Sequence, residues 1–196
     1  AARHRLEHLE MVDAEGIAVL AELGVHASMQ PVFDELWGGE HGMYVARLGT
    51  DRARGMNAFA SLAAAGVPLA FGSDSPVTPL GPWRAVRAAA AHRTPEERIS
   101  VRAAFAAHTR GGWRAAGRDD AGVLAPGAPA YYAVWQAEEL VVQAPDGRVA
   151  AWSTDPRSGT PGLPRLEPDD ALPICLRTVA AGRTIHDTGS LQETTR

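Results

Sequence analysis

Two side chains occupy positions where chemistry can be built. His8 closes the first extended segment, and Asp74 closes the segment that begins at Val67. An imidazole and a carboxylate at the carboxyl ends of parallel strands suit a divalent metal, because side chains there face the loops of an active-site mouth. Each residue has a plainer reading too. A strand-end histidine can be a hydrogen-bonded structural residue, and an aspartate before Ser-Pro can be a turn or cap former. Composition narrows the remaining chemistry. All 19 cations are arginines, so no Schiff-base, general-base or carboxylated lysine can be supplied from these 196 residues. The single cysteine, Cys175, excludes an intrachain disulfide and a multi-cysteine zinc site, and reads as a small buried hydrophobe.

The elements that must position these residues follow from hydrophobic period and punctuation. A short strand through Arg5, Leu6 and Glu7 leads to a helix capped by Asp13, with Ile17, Val19, Leu20 and Leu23 at helical spacing and Gly24 as its stop. Val25 to Met29 reads as the next strand, ended by Gln30-Pro31. Residues 32–49, rich in glycine and aromatics, lack a clear period and read as a long loop with one helical turn. A helix is expected from Thr50 to Gly66, with Met56, Phe59, Leu62 and Ala63 on one face. Val67 to Phe71 reads as a strand buried on both faces. Helices follow over Trp83 to Arg93, entered through Pro82, and over Ser100 to Ala116, with Ser100 as cap and Gly117 as stop. This alternation predicts an α/β fold with a parallel sheet over residues 1–117. From residue 118 to 196 the short apolar runs Ala133–Trp135, Leu140–Val142, Val149–Trp152 and Ile174–Val179 predict antiparallel β structure. A hairpin signal at Asp146-Gly147, a proline-rich loop over Asp155–Pro173 and a frayed tail complete it.

The wording of the motifs adds a resemblance. Arg5-Leu6-Glu7-His8, then Met29-Gln30-Pro31, then Gly72-Ser73-Asp74-Ser75-Pro76-Val77 resemble, in order and spacing, the last three barrel strands of amidohydrolase family 3, within the metal-dependent amidohydrolase superfamily. The helix around Ala107-His108-Thr109-Arg110-Gly111-Gly112-Trp113 and the later Gly122-Val123-Leu124-Ala125-Pro126-Gly127 are similar to that family's post-barrel helix and its return into a small β-sandwich. The resemblance implies the C-terminal part of a TIM-type (β/α)8 barrel, strands 6 to 8 with their helices, followed by a β-sandwich segment. It implies a metal-ligand role for His8 and, for Asp74, a role both as ligand and as acceptor of a proton from the attacking water. The implied cofactor is a divalent metal, zinc above others, as one ion or two, and the implied chemistry is hydrolysis of a carbon–nitrogen bond in a small amide-like substrate. Gln30 would face the same mouth and orient substrate or a ligand, and Arg47 could clamp a substrate carboxylate. Tyr131 stands where the family usually has an acid.

Other candidates carry plainer readings. His4 and His26 are expected to be packed or hydrogen-bonded, His41 to be a solvated loop residue, His92 and His108 to lie in helices away from the mouth, and His186 to belong to the final strands. A net charge of -4 and the absence of a basic cluster set aside nucleic acid and anionic membranes as partners. A start at Ala1-Ala2-Arg3 without methionine reads as a piece of a longer protein, inactive in isolation because the resemblance places further ligands upstream; the start says little about the address, and the cytoplasm is the expected one. The competing expectation is a non-catalytic module that associates with itself through an open sheet edge. A complete small hydrolase would need a third ligand, for which His26 and His41 are the nominees.

Overall fold

The computed structural model describes residues 3–143, 152–153 and 161–191. The chain divides into two compact units, Ala1–Asp119 and Asp120–Arg196. The first is built on three short parallel strands in the order β1 (Arg5–Glu7), β2 (His26–Met29), β3 (Leu69–Phe71). Arg5 pairs with His26, and Ala27 with Leu69, so all three strands run in step. The connection from β1 to β2 is α1 (Ala14–Leu23). Asp13 caps it by accepting from Gly16 N–H, and Gly24 closes it in the left-handed region at φ 62°. Only Ile17 and Leu20 of its apolar residues are buried, whereas Val19 and Leu23 face solvent.

The segment expected to be a long loop after β2 is instead largely helical. Pro31 does not merely end the strand. It occupies the first turn of α2 (Pro31–Trp37), where its missing N–H is not needed. A second helix, α3 (Met43–Leu48), follows with Tyr44 buried. The period was hidden because aromatic packing holds these turns: Phe33 lies 4.5 Å from Trp37, and Trp37 meets Tyr44 edge-on at 6.3 Å. The helix expected over Thr50–Gly66 is divided into α4 (Thr50–Arg54) and α5 (Phe59–Ala64). The break falls at Asn57, which adopts φ 56° and cannot continue a right-handed helix.

The core of this unit forms where α5 and β3 meet α6 (Pro82–Ala90) and the last helices. Phe59 and Leu62 are fully buried, and Phe59 packs 5.2 Å from Phe71 and edge-on to His92 at the same distance. Trp83 of α6 stacks on Phe105 of α7 (Val101–Ala106) at 5.4 Å. Ser100 caps α7 by accepting from Ala103 N–H. The expected single helix over Ser100–Ala116 passes through a π-helical segment, Ala107–Gly111, before α8 (Gly112–Ala115) and a positive-φ Gly117.

Among its described residues the second unit carries two three-stranded antiparallel sheets. β4 (Tyr132–Gln136), β8 (Ile174–Ala180) and β9 (Arg183–Asp187) form one; β5 (Leu140–Gln143), β6 (Trp152–Ser153) and β7 (Leu163–Pro164) form the other. β8 and β9 join through Ala181-Gly182, both at positive φ (50° and 78°), as a two-residue hairpin requires. The run expected to be a proline-rich loop thus contains a strand, β7. The Asp146-Gly147 turn lies outside the described residues. Cys175 is half-buried, its Sγ 3.3 Å from Thr178 Oγ1. Among the described residues no helix is long and apolar enough to cross a membrane.

Adjacent glycines in the last helical stretch provide a test of packing. A Cβ at Gly111 would come 2.2 Å from the Leu69 carbonyl oxygen on β3, whereas a Cβ at Gly112 would meet nothing within 4 Å. Gly111→Ala is expected to destabilise by about 1–3 kcal/mol through forced displacement of backbone. Gly112→Ala should instead stabilise by up to about 1 kcal/mol through helix propensity. Urea unfolding of the two variants checks both signs.

Candidate functional site

Both edges of the parallel sheet continue past their strands as hydrogen bonds to the end of β2. His8 N–H donates to Ser28 O at 2.7 Å, and Gly72 N–H donates to Met29 O at 3.0 Å. The loops after β1 and β3 therefore start from consecutive residues of β2, on one rim at the strands' carboxyl ends. Gln30, the residue after β2, lies between them in sequence register.

The loop after β1 is held in an unusual conformation. His8 and Leu9 both adopt positive φ, at 71° and 50°, which costs a non-glycine residue free energy and persists only where the surroundings impose it. The imposing contacts are visible. Asn57 N–H donates to Glu10 O at 2.9 Å, and the Tyr44 hydroxyl donates to Glu10 Oε2. Burial, then the neighbouring Glu10 carboxylate, pushes the Tyr44 hydroxyl far above its ordinary range, so it remains a donor, although Asn57 works in the opposite sense. The exposed His8 ring lies 10° from parallel to Phe33 of α2 with centroids 6.2 Å apart, and its Nδ1 is 2.9 Å from Oε1 of the buried Gln30.

Asp74 sits in the turn after β3 at φ 54°, exposed to solvent. Its carbonyl accepts from Val77 N–H at 2.8 Å, and the buried Thr78 hydroxyl donates to Ser73 O, so the turn is braced from below. The structure thus brings His8 and Gln30 into direct contact and puts Asp74 on the same rim. Arg47 lies on the exposed side of the last turn of α3, in a helix rather than the loop expected for it.

The remaining histidines fall elsewhere. His4 is exposed, not packed; its backbone carbonyl accepts from His26 N–H at 2.9 Å. His26 is buried at the first residue of β2, the end away from the rim, and His41 is exposed between α2 and α3. Neither nominee therefore joins His8 and Asp74. His92 is completely buried just beyond α6, its Nε2 3.5 Å from Asp34 Oδ1, while Arg93 N–H donates to Asp34 Oδ2 at 2.8 Å. Burial raises the Asp34 carboxyl above its usual range, with His92 opposing. This pair ties α2 to the end of α6. His186 is exposed on β9. Among the described residues no group of three or more His, Cys, Asp or Glu is gathered as a metal centre. Sequence reasoning missed Glu10, Tyr44 and Asn57, and the only local signal was an acid two residues beyond His8.

A family model described as the amidohydrolase family matches residues 1–186. Imidazolonepropionase of Cereibacter sphaeroides is 36% identical over 146 residues, covering 70% of this chain and 32% of that protein. The chain spans about a third of the length of the curated relatives it matches. A metal-dependent hydrolase structure from Pyrococcus furiosus superposes with a TM-score of 0.56 at 30% identity, covering 61% of this chain and 25% of that one. Atrazine chlorohydrolase from Arthrobacter aurescens, complexed with zinc, gives a TM-score of 0.56 at 21% identity over 93% of this chain and 36% of that one, a likeness of fold alone.

Two histidines make stability depend on pH in a definite direction. Burial is the first cause lowering both His26 and His108 from the ordinary imidazole value, with Arg3 and Arg114 adding to it at His26. An unfolded histidine takes up its proton near pH ~6.5, so below that value protonation favours the unfolded chain. Stability is expected to be level in this respect above about pH 6.5 and to fall as pH drops through it towards the lowered folded values. Denaturant midpoints at about pH 7.5 and about pH 5.5 should show a smaller loss for His26→Gln/His108→Gln than for the parent chain.

Proposed function

This chain belongs to the amidohydrolase family, and from that premise we propose that it carries the His8 and Asp74 portion of a metal-dependent active site that hydrolyses a carbon–nitrogen bond in a small, amide-like substrate. The observation that carries the reading is the shared rim. His8 and Asp74 leave β1 and β3 at the carboxyl end of one parallel sheet, each on a positive-φ residue locked by its own backbone hydrogen bonds. Active-site groups gather at that end of a barrel of alternating strands and helices.

The donor set suits a divalent ion, because an imidazole nitrogen and a carboxylate oxygen match zinc preferences and both side chains face solvent. Zinc is the ion assigned, in keeping with the zinc in the atrazine chlorohydrolase structure. Bound there, the ion would lower the pKa of a water and polarise the scissile carbonyl. His8 would hold the ion through its imidazole. Asp74 would hold it as a carboxylate, accept the proton of the attacking water and return it to the leaving nitrogen, which needs an acceptor on a fixed turn rather than a mobile side chain. The brace from Thr78 to Ser73 supports that turn. Arg47, one turn along α3 from Tyr44, is assigned to a carboxylate group on the substrate.

A catalytic zinc site takes three protein ligands, and two are assigned among the described residues. The isolated 196-residue chain is therefore expected to turn over no amide substrate. Chelator-sensitive hydrolysis by this chain alone would overturn the ligand count. In the protein carrying a complete site, Asp74→Asn should lower turnover by about 10²- to 10⁴-fold while retaining much of the bound metal. His8→Ala should lose metal first and recover part of its activity when metal is added. Metal content and turnover measured side by side separate the two roles. If Asp74→Asn retained more than about a tenth of parental turnover, the proton-accepting role would be wrong.

A second reading, self-association without catalysis, draws on β1, an edge strand exposed at all three residues. The Arg5–Glu7 ion pair at 2.7 Å places charge on that edge, which works against it. Sedimentation of the chain as a monomer at micromolar concentration would dismiss this reading.

A further inference from the structure

We propose that Gln30 is a positioning residue that holds His8 in the tautomer protonated on Nδ1, leaving the Nε2 lone pair free. The inference deepens the reading of His8 as a metal ligand and rests on it for its functional meaning, but its structural content stands alone. Neutral imidazole carries one proton, and whichever partner is fixed at one nitrogen decides what the other can do. At His8 that partner is the Gln30 side-chain oxygen, 2.9 Å from Nδ1. An oxygen accepts and does not donate, so the ring proton belongs on Nδ1.

Gln30 is well placed to impose this choice. It is buried, with 4% of its surface exposed, and its backbone is fixed as the residue before α2, its carbonyl accepting from Phe33 N–H at 2.9 Å. The exposed His8 ring would otherwise rotate about its side-chain bonds. Phe33 from the same turn of α2 lies nearly parallel to it, and the backbone is pinned by the bond from His8 N–H to Ser28 O. A single turn of chain, Gln30 to Phe33, thus supplies both the proton acceptor and the flat surface that set the ring. Metal-binding histidines commonly have their second nitrogen engaged in this way, and loss of such a partner commonly weakens metal binding about 10- to 100-fold. Among the described residues Gln30 is the one side chain hydrogen-bonded to the His8 ring.

The test reads the proton directly. Long-range proton–nitrogen correlation spectra of the ¹⁵N-histidine-labelled full chain, with His8→Gln to assign the resonance, distinguish a protonated from an unprotonated ring nitrogen. The expected result is a protonated Nδ1 and an unprotonated Nε2 at His8 under conditions where the ring is neutral. An Nε2-protonated ring in the parent chain, a measurement that needs no substitution at Gln30, would overturn the proposal by showing that the Gln30 amide nitrogen donates instead. Gln30→Glu, which keeps an acceptor oxygen, should preserve the Nδ1-protonated form. Gln30→Leu should release the ring to the tautomer mixture of free histidine; an unchanged ring in Gln30→Leu would remove Gln30 from the role. Zinc chloride then separates the two levels. A zinc-induced shift at Nε2 supports the proposal and the ligand reading together, and a shift at Nδ1 overturns the proposal. Zinc that leaves both nitrogens untouched, with Nδ1 protonated, upholds the tautomer and shows that the two ligands of this chain do not hold the ion by themselves.

Discussion

The parallel pairing of β2 with both of its neighbours is the constraint from which the rest of the first unit follows. β2 is only four residues long, yet Ala27 and Met29 are completely buried and its hydrogen bonds run to β1 on one side and β3 on the other. Parallel strands cannot be joined by tight turns, so every connection in this unit is a helical crossover, and every strand leaves the sheet in the same direction. The ladder does not stop at the strand ends. Its last bonds, from His8 to Ser28 and from Gly72 to Met29, capture the first residue of each following loop. With neighbouring strands about 4.8 Å apart and β2 between them, loops so captured begin on one rim about 10 Å apart. A shift of register by one residue would turn β2's buried set outward and move the loop anchors with it.

The rim is held at an energetic cost that the packed helices offset. Consecutive positive-φ residues at His8 and Leu9 are unfavourable by themselves. They are maintained by Glu10, whose carbonyl and carboxylate are taken by Asn57 and Tyr44, and both of those donors are buried in the body of the unit. Asn57 serves twice, since the same backbone turn that divides α4 from α5 aims its N–H at Glu10. Stability of the helical layer and geometry of the rim are therefore one problem. A change that loosens Tyr44 or Asn57 would be felt at His8, although neither residue touches its ring.

Family membership does not name the substrate. A rim of this kind is common to many hydrolases, and specificity resides in loops that vary while the strands persist. Imidazolonepropionase, a relative by sequence, and atrazine chlorohydrolase, alike in fold alone, are named for quite different substrates. In this chain the immediate surround of His8 is a glutamine at Nδ1 and a phenylalanine nearly parallel to the ring.

Sequence alone determined the alternation of strands and helices in the first unit, the caps at Asp13, Ser100 and Gly24, and the positions of His8 and Asp74 at strand ends. These are local matters: a cap is settled within three residues, and a strand end is marked by the turn residues after it. The helices α2 and α3 were not legible, because their turns are held by aromatic contacts among Phe33, Trp37 and Tyr44 and not by an apolar period. The division of the Thr50–Gly66 stretch was hidden for a related reason, since only the partner 47 residues away, Glu10, shows why Asn57 turns left-handed. The pairing of His8 with Gln30, the burial of Asp34 against His92 and the exposure of His4 were likewise decided by tertiary structure. Period and punctuation say which way a side chain leaves its own element; which distant group it meets depends on how separate elements pack, and that is settled only when the whole core closes.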